Sequence, residues 1–257
     1  MKIYEVIEKL DELFPKSLSE EWDNDGEMLV TDKNLEITGI VTTLDVTDEA
    51  VDEAVKRGAN LIVSHHPMIF TPLKRLDDTP VSKKIERLIK NGISVLSYHT
   101  RFDSAEGGMN DRLAKRLLLK NPLPFGLTGG IPMGRIGEVE ECSPEEFGKR
   151  VAELLDTDLI LYEGKRKIKK VAILGGGGKD FIHTAHTLGA DAMVTGDISY
   201  SVVTEEMPYG ITMVDAGHFS TEILAVDAFA EILEEMKAPS VSRFYGKRPS
   251  KFIKKEK

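Results

Sequence analysis

The chain has 257 residues, a formal net charge of -9 and an isoelectric point near 5.3. This length is enough to bury a sizeable core in one large or two small domains. The acidic balance argues against a general nucleic-acid binder and against a binder of anionic membranes. The single cysteine, Cys142, excludes an internal disulfide framework and a thiolate metal cluster.

The amino-terminal segment lacks the apolar stretch of a secretory signal peptide. No apolar run in the sequence approaches the ~20 residues that a membrane-spanning helix needs. We therefore expect a cytoplasmic protein that has neither a membrane nor a nucleic acid as its partner.

The first predicted element is a helix, whose apolar residues recur at helical spacing from Ile3 to Phe14 and stop before Pro15. A turn-rich segment, 21–26, follows and contains the only tryptophan, Trp22. Two interpretations of Trp22 stay open: a side chain that fills the core, or part of a loop that lines a site.

From residue 37 onward, apolar strands alternate with amphipathic helices. Thr47 and Pro80 mark helix starts, and Gly58 and Asn91 mark helix ends. The predicted order is a strand over 37–44, a helix over 47–58, a strand over 61–63, a helix over 80–92, a strand over 93–96 and a helix that reaches Leu117. This alternation predicts an α/β fold with largely parallel strands.

Residues 121–130 are rich in proline and glycine and are the best candidate for a domain boundary. We predict a first α/β domain over 1–125 and a second over 126–257, with terminal segments that can pack across the boundary. In the second domain, a capping box at 143–146 opens a helix, and residues 159–162 form a short strand.

The second half of the chain repeats the pattern of the first. Residues 168–197 can be laid on 37–66 with a constant offset of 131 and no gap, and 210–214 mirror 92–96 with an offset of 118. The alternative is the general likeness of all βαβ units, but the gapless run favours an internal duplication. We therefore predict two similar α/β domains with a cleft between them.

Histidines and carboxylates cluster where the predicted strands end. Taken alone, the pair His65-His66 fits two loop histidines as well as it fits two metal ligands. Candidate ligands gather at three strand exits, however, and four of the six histidines lie there: His65 and His66, then His99 with Asp103, then His218 with Glu222. Ligands bind at the carboxyl ends of strands in open α/β sheets, so the pattern favours a metal site.

The spacing of these residues favours two ions rather than one. Adjacent side chains such as His65 and His66 point apart, whereas His218 and Glu222 share one face of a helix. Carboxylates such as Asp103 can bridge ions, and two-metal sites catalyse hydrolysis. Nitrogen and oxygen ligands without sulfur suit zinc, manganese or iron, so we predict two divalent metal ions as cofactors.

Other motifs are weaker. The segment 175–179, four glycines and a lysine, fits either a phosphate-binding loop or a tight turn, and its spacing departs from the known nucleotide-binding patterns, which favours the turn. His183 and His186 are expected to be exposed or packed rather than to bind a metal. There is no Gly-x-Ser-x-Gly motif, and Cys142 has no base near it in the sequence, which argues against covalent nucleophilic catalysis.

Several sequence blocks carry a resemblance to a known family. The main blocks are Ser64-His65-His66-Pro67, Tyr98-His99-Thr100…Asp103, Thr195-Gly196-Asp197…Tyr200 and Asp215-Ala216-Gly217-His218…Thr221-Glu222. Two earlier blocks, 21–24 and 43–47, agree with it. The chain resembles the Nif-three-like family, also labelled GTP cyclohydrolase I type 2-like, in its short form without an inserted middle domain.

The resemblance implies two similar α/β domains with a dinuclear metal site between them, assembled as a toroidal homo-hexamer of dimers. Carried over by motif, the metal ligands are His65, His66, Asp103, His218 and Glu222. His99 and Asp197 are then expected beside these ligands, and the resemblance assigns no catalytic residue.

Two departures from the family pattern stand out. Asp25-Gly26-Glu27 occurs where many members have Gly-Leu, and Ser201 occurs where many have histidine. The second change removes a polar group near the expected pocket, so the metal ligands are retained while a shared substrate is not implied. We expect a metal-dependent hydrolase that acts on a nucleotide-like small molecule through activated water. The alternative is a non-catalytic metal-binding protein for storage, delivery or regulation, assembled as a ring.

Overall fold

The computed structural model describes residues 1–250, which form two β-sheets with helices packed around them. The strands are β1 (Gly26–Leu29), β2 (Ile40–Thr43), β3 (Leu61–Ser64), β4 (Ser94–Ser97), β5 (Lys120–Thr128), β6 (Ile131–Cys142), β7 (Ile160–Tyr162), β8 (Ile168–Ile173), β9 (Ala192–Thr195), β10 (Thr212–Asp215) and β11 (Val241–Phe244). The α-helices are α1 (Ile3–Leu13), α2 (Asp48–Arg57), α3 (Pro80–Lys90), α4 (Thr100–Ser104), α5 (Met109–Arg116), α6 (Pro144–Leu154), α7 (Ile182–Thr187), α8 (Tyr200–Glu206), α9 (His218–Glu222) and α10 (Leu224–Glu235). The predicted α/β class is confirmed.

Local sequence signals begin and end the helices where the sequence predicts. The Thr47 hydroxyl accepts a hydrogen bond from the backbone N–H of Ala50 and caps α2, which ends at Gly58 in the left-handed conformation. Ser143 and Glu146 form a reciprocal capping box at the start of α6. These caps satisfy backbone groups that a helix end would otherwise leave unpaired.

The first sheet has the strand order β1-β4-β3-β2-β11. Strands β4, β3, β2 and β11 run parallel, and only the edge strand β1 is antiparallel to its neighbour. The register pairs Ser64 with Thr43 on one side and with Ser97 on the other. Because parallel strands end at the same edge, the residues that follow β2, β3 and β4 are brought together.

The second sheet, β5-β6-β8-β9-β10-β7, corrects the expectation of largely parallel strands. Only β8–β9 and β9–β10 are parallel, and the other three pairings are antiparallel. The cause lies in residues 121–130, predicted as a boundary, which form most of β5 and its turn into β6. Strands joined by so short a turn must be antiparallel, and the edge position of β5 tolerates Pro122 and Pro124.

The strands of the two halves coincide at the offsets seen in the sequence. The offset of 131 places β3 on β9, residue for residue, and the offset of 118 does the same for β4 and β10. Both halves therefore contain a strand–helix–strand–helix–strand–helix series that ends in α4 or α9. The internal duplication that this match suggests stays a prediction.

The carboxyl-terminal segment returns to the first sheet. Strand β11 pairs in parallel with β2, and the Thr42 hydroxyl donates to the carbonyl of Val226 at 2.9 Å. Phe229 of α10 packs against Phe102 of α4 with tilted rings whose centroids are 4.6 Å apart, within one hydrophobic core. Residues 224–244, predicted in the second domain, thus complete the first sheet and hold α4 in place. The division at residue 125 stays a prediction, although it falls within β5.

Within residues 1–250, no helix combines the length and apolar character needed to cross a lipid bilayer.

Candidate metal centre

The residues predicted as metal ligands lie together at the junction of the two sheets. His65 and His66 follow β3, Asp103 lies on α4, which follows β4, and His218 and Glu222 lie on α9, which follows β10. The ring centroids of His65 and His66 are 5.1 Å apart, and those of His66 and His218 are 5.3 Å apart. Residues from both halves of the chain therefore meet in one cluster.

Each of the four clustered histidines is held through its Nδ1 atom. The partners are the Tyr98 carbonyl oxygen for His65 (2.9 Å), Asp45 Oδ1 for His66 (2.7 Å), Asp23 Oδ1 for His99 (2.9 Å) and Asp197 Oδ2 for His218 (2.8 Å). A neutral imidazole that donates its Nδ1–H keeps a lone pair on Nε2, and metal-binding histidines are oriented in this way. All four rings are therefore set to bind a cation through Nε2.

The sequence identified Asp197 as a neighbour of the ligands but assigned no role to Asp45 or Asp23. Both lie in blocks that carry the family resemblance, Asp45 in 43–47 and Asp23 in 21–24. The available signal was position, since Asp45 follows β2 at the same sheet edge as His65 and His66. Spacing along the chain could not show which imidazole each carboxylate would meet.

Glu222 occupies the middle of the cluster. Its Oε2 atom lies 3.0 Å from His66 Nε2 and 2.8 Å from His218 Nε2, and its Oε1 atom lies 3.7 Å from His65 Nε2. Asp103 Oδ1 is 3.5 Å from the same His65 atom. One carboxylate thus contacts imidazoles from both halves of the chain.

Two sets of residues place their ligand atoms within 4.8 Å of one another and share Glu222. We call His66, His218 and Glu222 the first ligand group, and His65, Asp103 and Glu222 the second. The nitrogen atoms of His65, His66 and His99 meet the same distance limit. His99 therefore lies beside the predicted ligands His65 and His66.

Two atoms of the second ligand group lack hydrogen-bond partners among residues 1–250, although they are buried: His65 Nε2 and Asp103 Oδ1. A buried polar atom without a partner costs about 1–3 kcal/mol. Both atoms face the same space, and a divalent cation would serve both at once. The donor set of this chain therefore fits a metal ion.

The pKa values of the two central carboxylates, Glu222 and Asp103, are shifted in opposite directions. Burial raises the pKa of Glu222, but the hydrogen bonds that it accepts from His218 and His66 hold this pKa well below the usual range. Burial and the nearby charge of Glu222 raise the pKa of Asp103 well above its usual range. Oppositely shifted neighbours of this kind are typical of functional sites.

The pKa values of the clustered imidazoles are also shifted in opposite directions. Burial lowers the pKa of His65, which keeps the ring in the neutral form that binds metals. Burial also opposes the charge on His66, but Asp45 and Glu222 raise the pKa of His66 to about 10. The hydrogen bond to Glu222 raises the pKa of His218 to about 9 against the effect of burial. The site thus stabilises positive charge between Glu222 and these two rings.

The glycine-rich segment 175–178 makes room for Glu222. A Cβ atom on Gly176 would lie 2.2 Å from Glu222 Oε1. The backbone N–H groups of three of its glycines, 175, 176 and 178, donate to the side chains of Asn110, Thr221 and Thr195. These donors are not available to a phosphate, which agrees with a tight turn.

A cavity of about 560 Å³ opens beside the cluster and reaches Asp103, His218 and Glu222. This volume is in the range of small-molecule sites. Trp22 lines the cavity and is 59% exposed, so its side chain does not fill the core. That this cavity is a functional site stays a prediction. His183 and His186, by contrast, lie on α7 and pack against Tyr209.

Arg101, a buried residue of α4, forms ion pairs with Asp11 and Asp25. The guanidinium of Arg101 lies 2.8 Å from Asp11 Oδ1 and 3.2 Å from Asp25 Oδ2, and its plane covers the Tyr98 ring at 4.3 Å. Asp25 is fully buried and also pairs with Lys16 at 2.6 Å. Asp25 thus places a buried carboxylate against Arg101, on the helix that carries Asp103.

Replacing Asp45 by asparagine is expected to weaken metal binding about 10-fold, within the ~10- to 100-fold range for groups that orient ligands. Asparagine keeps an acceptor for His66 Nδ1–H but removes the charge that makes the ring a stronger donor to metal. Chelator competition measures the affinity, with Asp48→Asn in the exposed first turn of α2 as the matched control. Unchanged affinity in Asp45→Asn would contradict the role of Asp45.

Comparison with known proteins gives concordant matches. Residues 1–245 match the model of the Duf34/NIF3 (NGG1p interacting factor 3) family. A protein of Clostridium perfringens named "GTP cyclohydrolase 1 type 2 homolog" is 37% identical over 231 residues, covering 86% of this chain and 87% of its own. A protein of the same name from Clostridium acetobutylicum is 35% identical, covering 91% and 90%. The crystal structure of a Bacillus cereus protein related to NIF3 superposes with a TM-score of 0.90 at 26% identity, covering 98% and 99%.

Proposed function

This chain belongs to the Duf34/NIF3 family, and from that premise we propose that it binds two divalent metal ions and uses them to hydrolyse a nucleotide-like small molecule. The observation that carries the proposal is the pair of ligand groups that share Glu222. Two ions held in this way are the arrangement that hydrolytic two-metal sites use. Zinc, manganese and iron all suit the ligand set.

In this proposal, some residues bind the metal ions and others orient the imidazoles that bind them. The first ligand group would hold one ion and the second would hold the other. Bound ions of this kind lower the pKa of water and polarise the group that is attacked. Asp45, Asp197 and the Tyr98 carbonyl fix the imidazoles, so that the ligand atoms need little reorganisation when substrate binds.

His99 is the side chain best placed to handle a proton. Its Nδ1 bonds to Asp23, whose pKa the bonds from His99 and Thr100 lower to about 2 against the effect of burial. The His99 ring lines the cavity and is not required by either ligand group. An imidazole held by a carboxylate at one nitrogen can accept or donate a proton at the other.

The activity is tested by turnover of the metal-loaded protein on a panel of nucleotides. We expect the wild type to hydrolyse at least one of them, and His66→Ala to lose this activity by about 100-fold or more, because the first ligand group loses a nitrogen. Equal rates for wild type and His66→Ala on every nucleotide would sink the proposal of catalysis.

The second candidate is a non-catalytic metal-binding protein for storage, delivery or regulation, which would use the same five ligands. Rapid metal exchange without turnover would favour it. The cavity beside the ligand groups favours the hydrolase, because a storage site has no need of space for an organic molecule. A homo-hexameric ring of dimers, an internal duplication and a cytoplasmic location stay predictions, and the mass of the purified assembly tests the first of them.

A further inference from the structure

Asn110 connects two parts of the candidate metal centre through its side-chain amide. It is the second residue of α5 and is fully buried. Its Nδ2 atom donates to the carbonyl oxygen of Asp103 at 3.2 Å and to that of Met133 at 2.8 Å. Its Oδ1 atom accepts a hydrogen bond from the backbone N–H of Gly175 at 2.9 Å. Both amide hydrogens and the amide oxygen are therefore used, which fixes the orientation of the amide.

One bond of this amide holds the backbone of Asp103. Helix α5 can approach α4 closely because residue 108 is glycine, where a Cβ atom would overlap the carbonyl oxygen of Phe102. The bond from Asn110 goes to the main chain of Asp103, and Asp103 Oδ1 lies 3.5 Å from His65 Nε2. Asn110 thus fixes a predicted ligand without using the carboxylate oxygens that would bind a metal.

The opposite side of the amide holds the glycine-rich segment 175–178, which packs against Glu222. A Cβ atom on Gly176 would overlap Glu222 Oε1, and one on Gly175 would lie 3.3 Å from Glu222 Cγ. The Gly176 N–H also donates to the hydroxyl of Thr221, the residue before Glu222, at 2.9 Å. Since this packing leaves no room for movement, the position of the segment determines that of the Glu222 carboxylate.

Asp103 and Glu222 are the two carboxylates of the second ligand group. They come from α4 and α9, in opposite halves of the chain, and their ligand atoms lie within 4.8 Å of each other and of a His65 nitrogen. Two ionised carboxylates at this distance repel each other, so their spacing has to be fixed by groups around them. The Asn110 amide directly connects the backbone of one carboxylate with the segment that packs against the other.

We propose that Asn110 is a positioning residue of the metal centre, whose amide sets the separation of Asp103 and Glu222 and so holds the second ion at bridging distance from the first. This inference rests on the proposed function, because it requires two ions. The ions of two-metal sites lie ~3.5–4 Å apart. The three hydrogen bonds of Asn110 all go to backbone groups, so it acts through the ligands and not on a substrate.

The test uses the full-length protein loaded with manganese(II). Two manganese ions that share a bridging carboxylate are magnetically coupled, and their electron paramagnetic resonance spectrum differs from that of an isolated ion. We expect the coupled spectrum in the wild type. Asn110→Leu keeps the branching of the side chain and removes all three bonds. It should weaken binding of the second ion by about 10- to 100-fold and give the spectrum of an isolated ion. The first ligand group does not contain Asp103 and should keep its ion.

The matched control is Asn60→Leu. The Asn60 amide also joins two backbone groups, the N–H of Thr38 and the carbonyl of Glu36, but it lies just before β3, at the strand end opposite the ligands. This variant should retain both ions and the coupled spectrum, so a general loss of stability does not account for the effect.

If Asn110→Leu does not fold, Asn110→Asp replaces it. Aspartate keeps the size of the side chain and an acceptor for the Gly175 N–H, and it loses the bonds to the two carbonyl oxygens. We expect the same loss of the second ion and of the coupled spectrum.

The outcome for Asn110 is separable from that of the proposed function, because metal binding is measured without turnover. Wild-type affinity and a coupled spectrum in the Asn110 variants overturn the inference and leave the two-metal centre standing. Equal losses in Asn60→Leu also overturn it. A wild type that binds a single ion contradicts both proposals. If the Asn110 variants lose the coupled spectrum as expected but the wild type hydrolyses no nucleotide, the inference holds and the hydrolase proposal fails.

Discussion

Replacing Glu222 by glutamine is expected to lower the metal content of the protein from two ions per chain to none. Both ligand groups use this carboxylate, and glutamine keeps its size while removing the negative charge. Groups that only orient ligands change affinity by ~10- to 100-fold, so the loss of a shared ligand should exceed about 100-fold. Elemental analysis of the purified variant measures the content directly.

Two further variants distinguish a shared ligand from a general loss of structure. His65→Ala removes a ligand of the second group alone, and His218→Ala removes one of the first alone, so each should retain one ion. Glu153→Gln, an exposed carboxylate on α6, is the matched control and should retain both. A Glu222→Gln protein that still holds one ion would contradict the shared role of Glu222.

The same variant should lose the stabilisation that metal gives. A ligand at about 100 times its dissociation constant stabilises the folded state by ~2.7 kcal/mol. We therefore expect added metal to raise the melting temperature of the wild type and to leave that of Glu222→Gln unchanged.

Replacing Arg101 by methionine is expected to lower the free energy of unfolding by about 3 kcal/mol, the lower end of the range for breaking a buried ion pair. Arg101 is 2% exposed, and its loss leaves Asp25, which is fully buried, with the Lys16 ammonium as its remaining charged partner. Methionine has a similar length, so the change tests charge more than volume. Urea unfolding in the presence of a chelator measures the effect without a contribution from metal.

The control for this substitution is Arg112→Met. Arg112 pairs with Glu231 at 2.6 Å, but both side chains are partly exposed, and pairs of this kind contribute ~1 kcal/mol or less. We also expect Arg101→Met to weaken metal binding, because Arg101 lies two residues before Asp103 on α4. Equal unfolding free energies for the two variants would show that the buried pair does not stabilise α4.

Much of the fold could be predicted because its signals are local. Caps at Thr47 and Ser143, and glycine at residue 58, begin and end helices through bonds between near neighbours. The alternation of apolar strands and amphipathic helices also needs only the chain itself. The antiparallel hairpin of β5 and β6 is one exception, because proline at 122 and 124 argues against a strand unless an edge position is known.

The residues that form the candidate metal centre could likewise be predicted from the sequence. Histidines and carboxylates at three strand exits are sufficient to predict a metal site, since strand ends at one sheet edge lie close together. The same reasoning could not find Asp45 or Asp23 as supports of His66 and His99. A hydrogen bond between residues more than 20 positions apart depends on how two loops approach each other.

The sequence by itself thus determined the α/β class, the alternation of strands and helices over residues 37–117, and the histidines and carboxylates that meet in one cluster. These follow from neighbours along the chain and from the shared edge of parallel strands. The tertiary structure alone decided that α10 and β11 return to the first sheet, that Glu222 is shared by both ligand groups, and that Glu20 Oε1 is buried with no hydrogen-bond partner among residues 1–250. These three features depend on packing between distant segments, where burial and distance set the energy of each contact. Periodicity and spacing carry no information on such contacts.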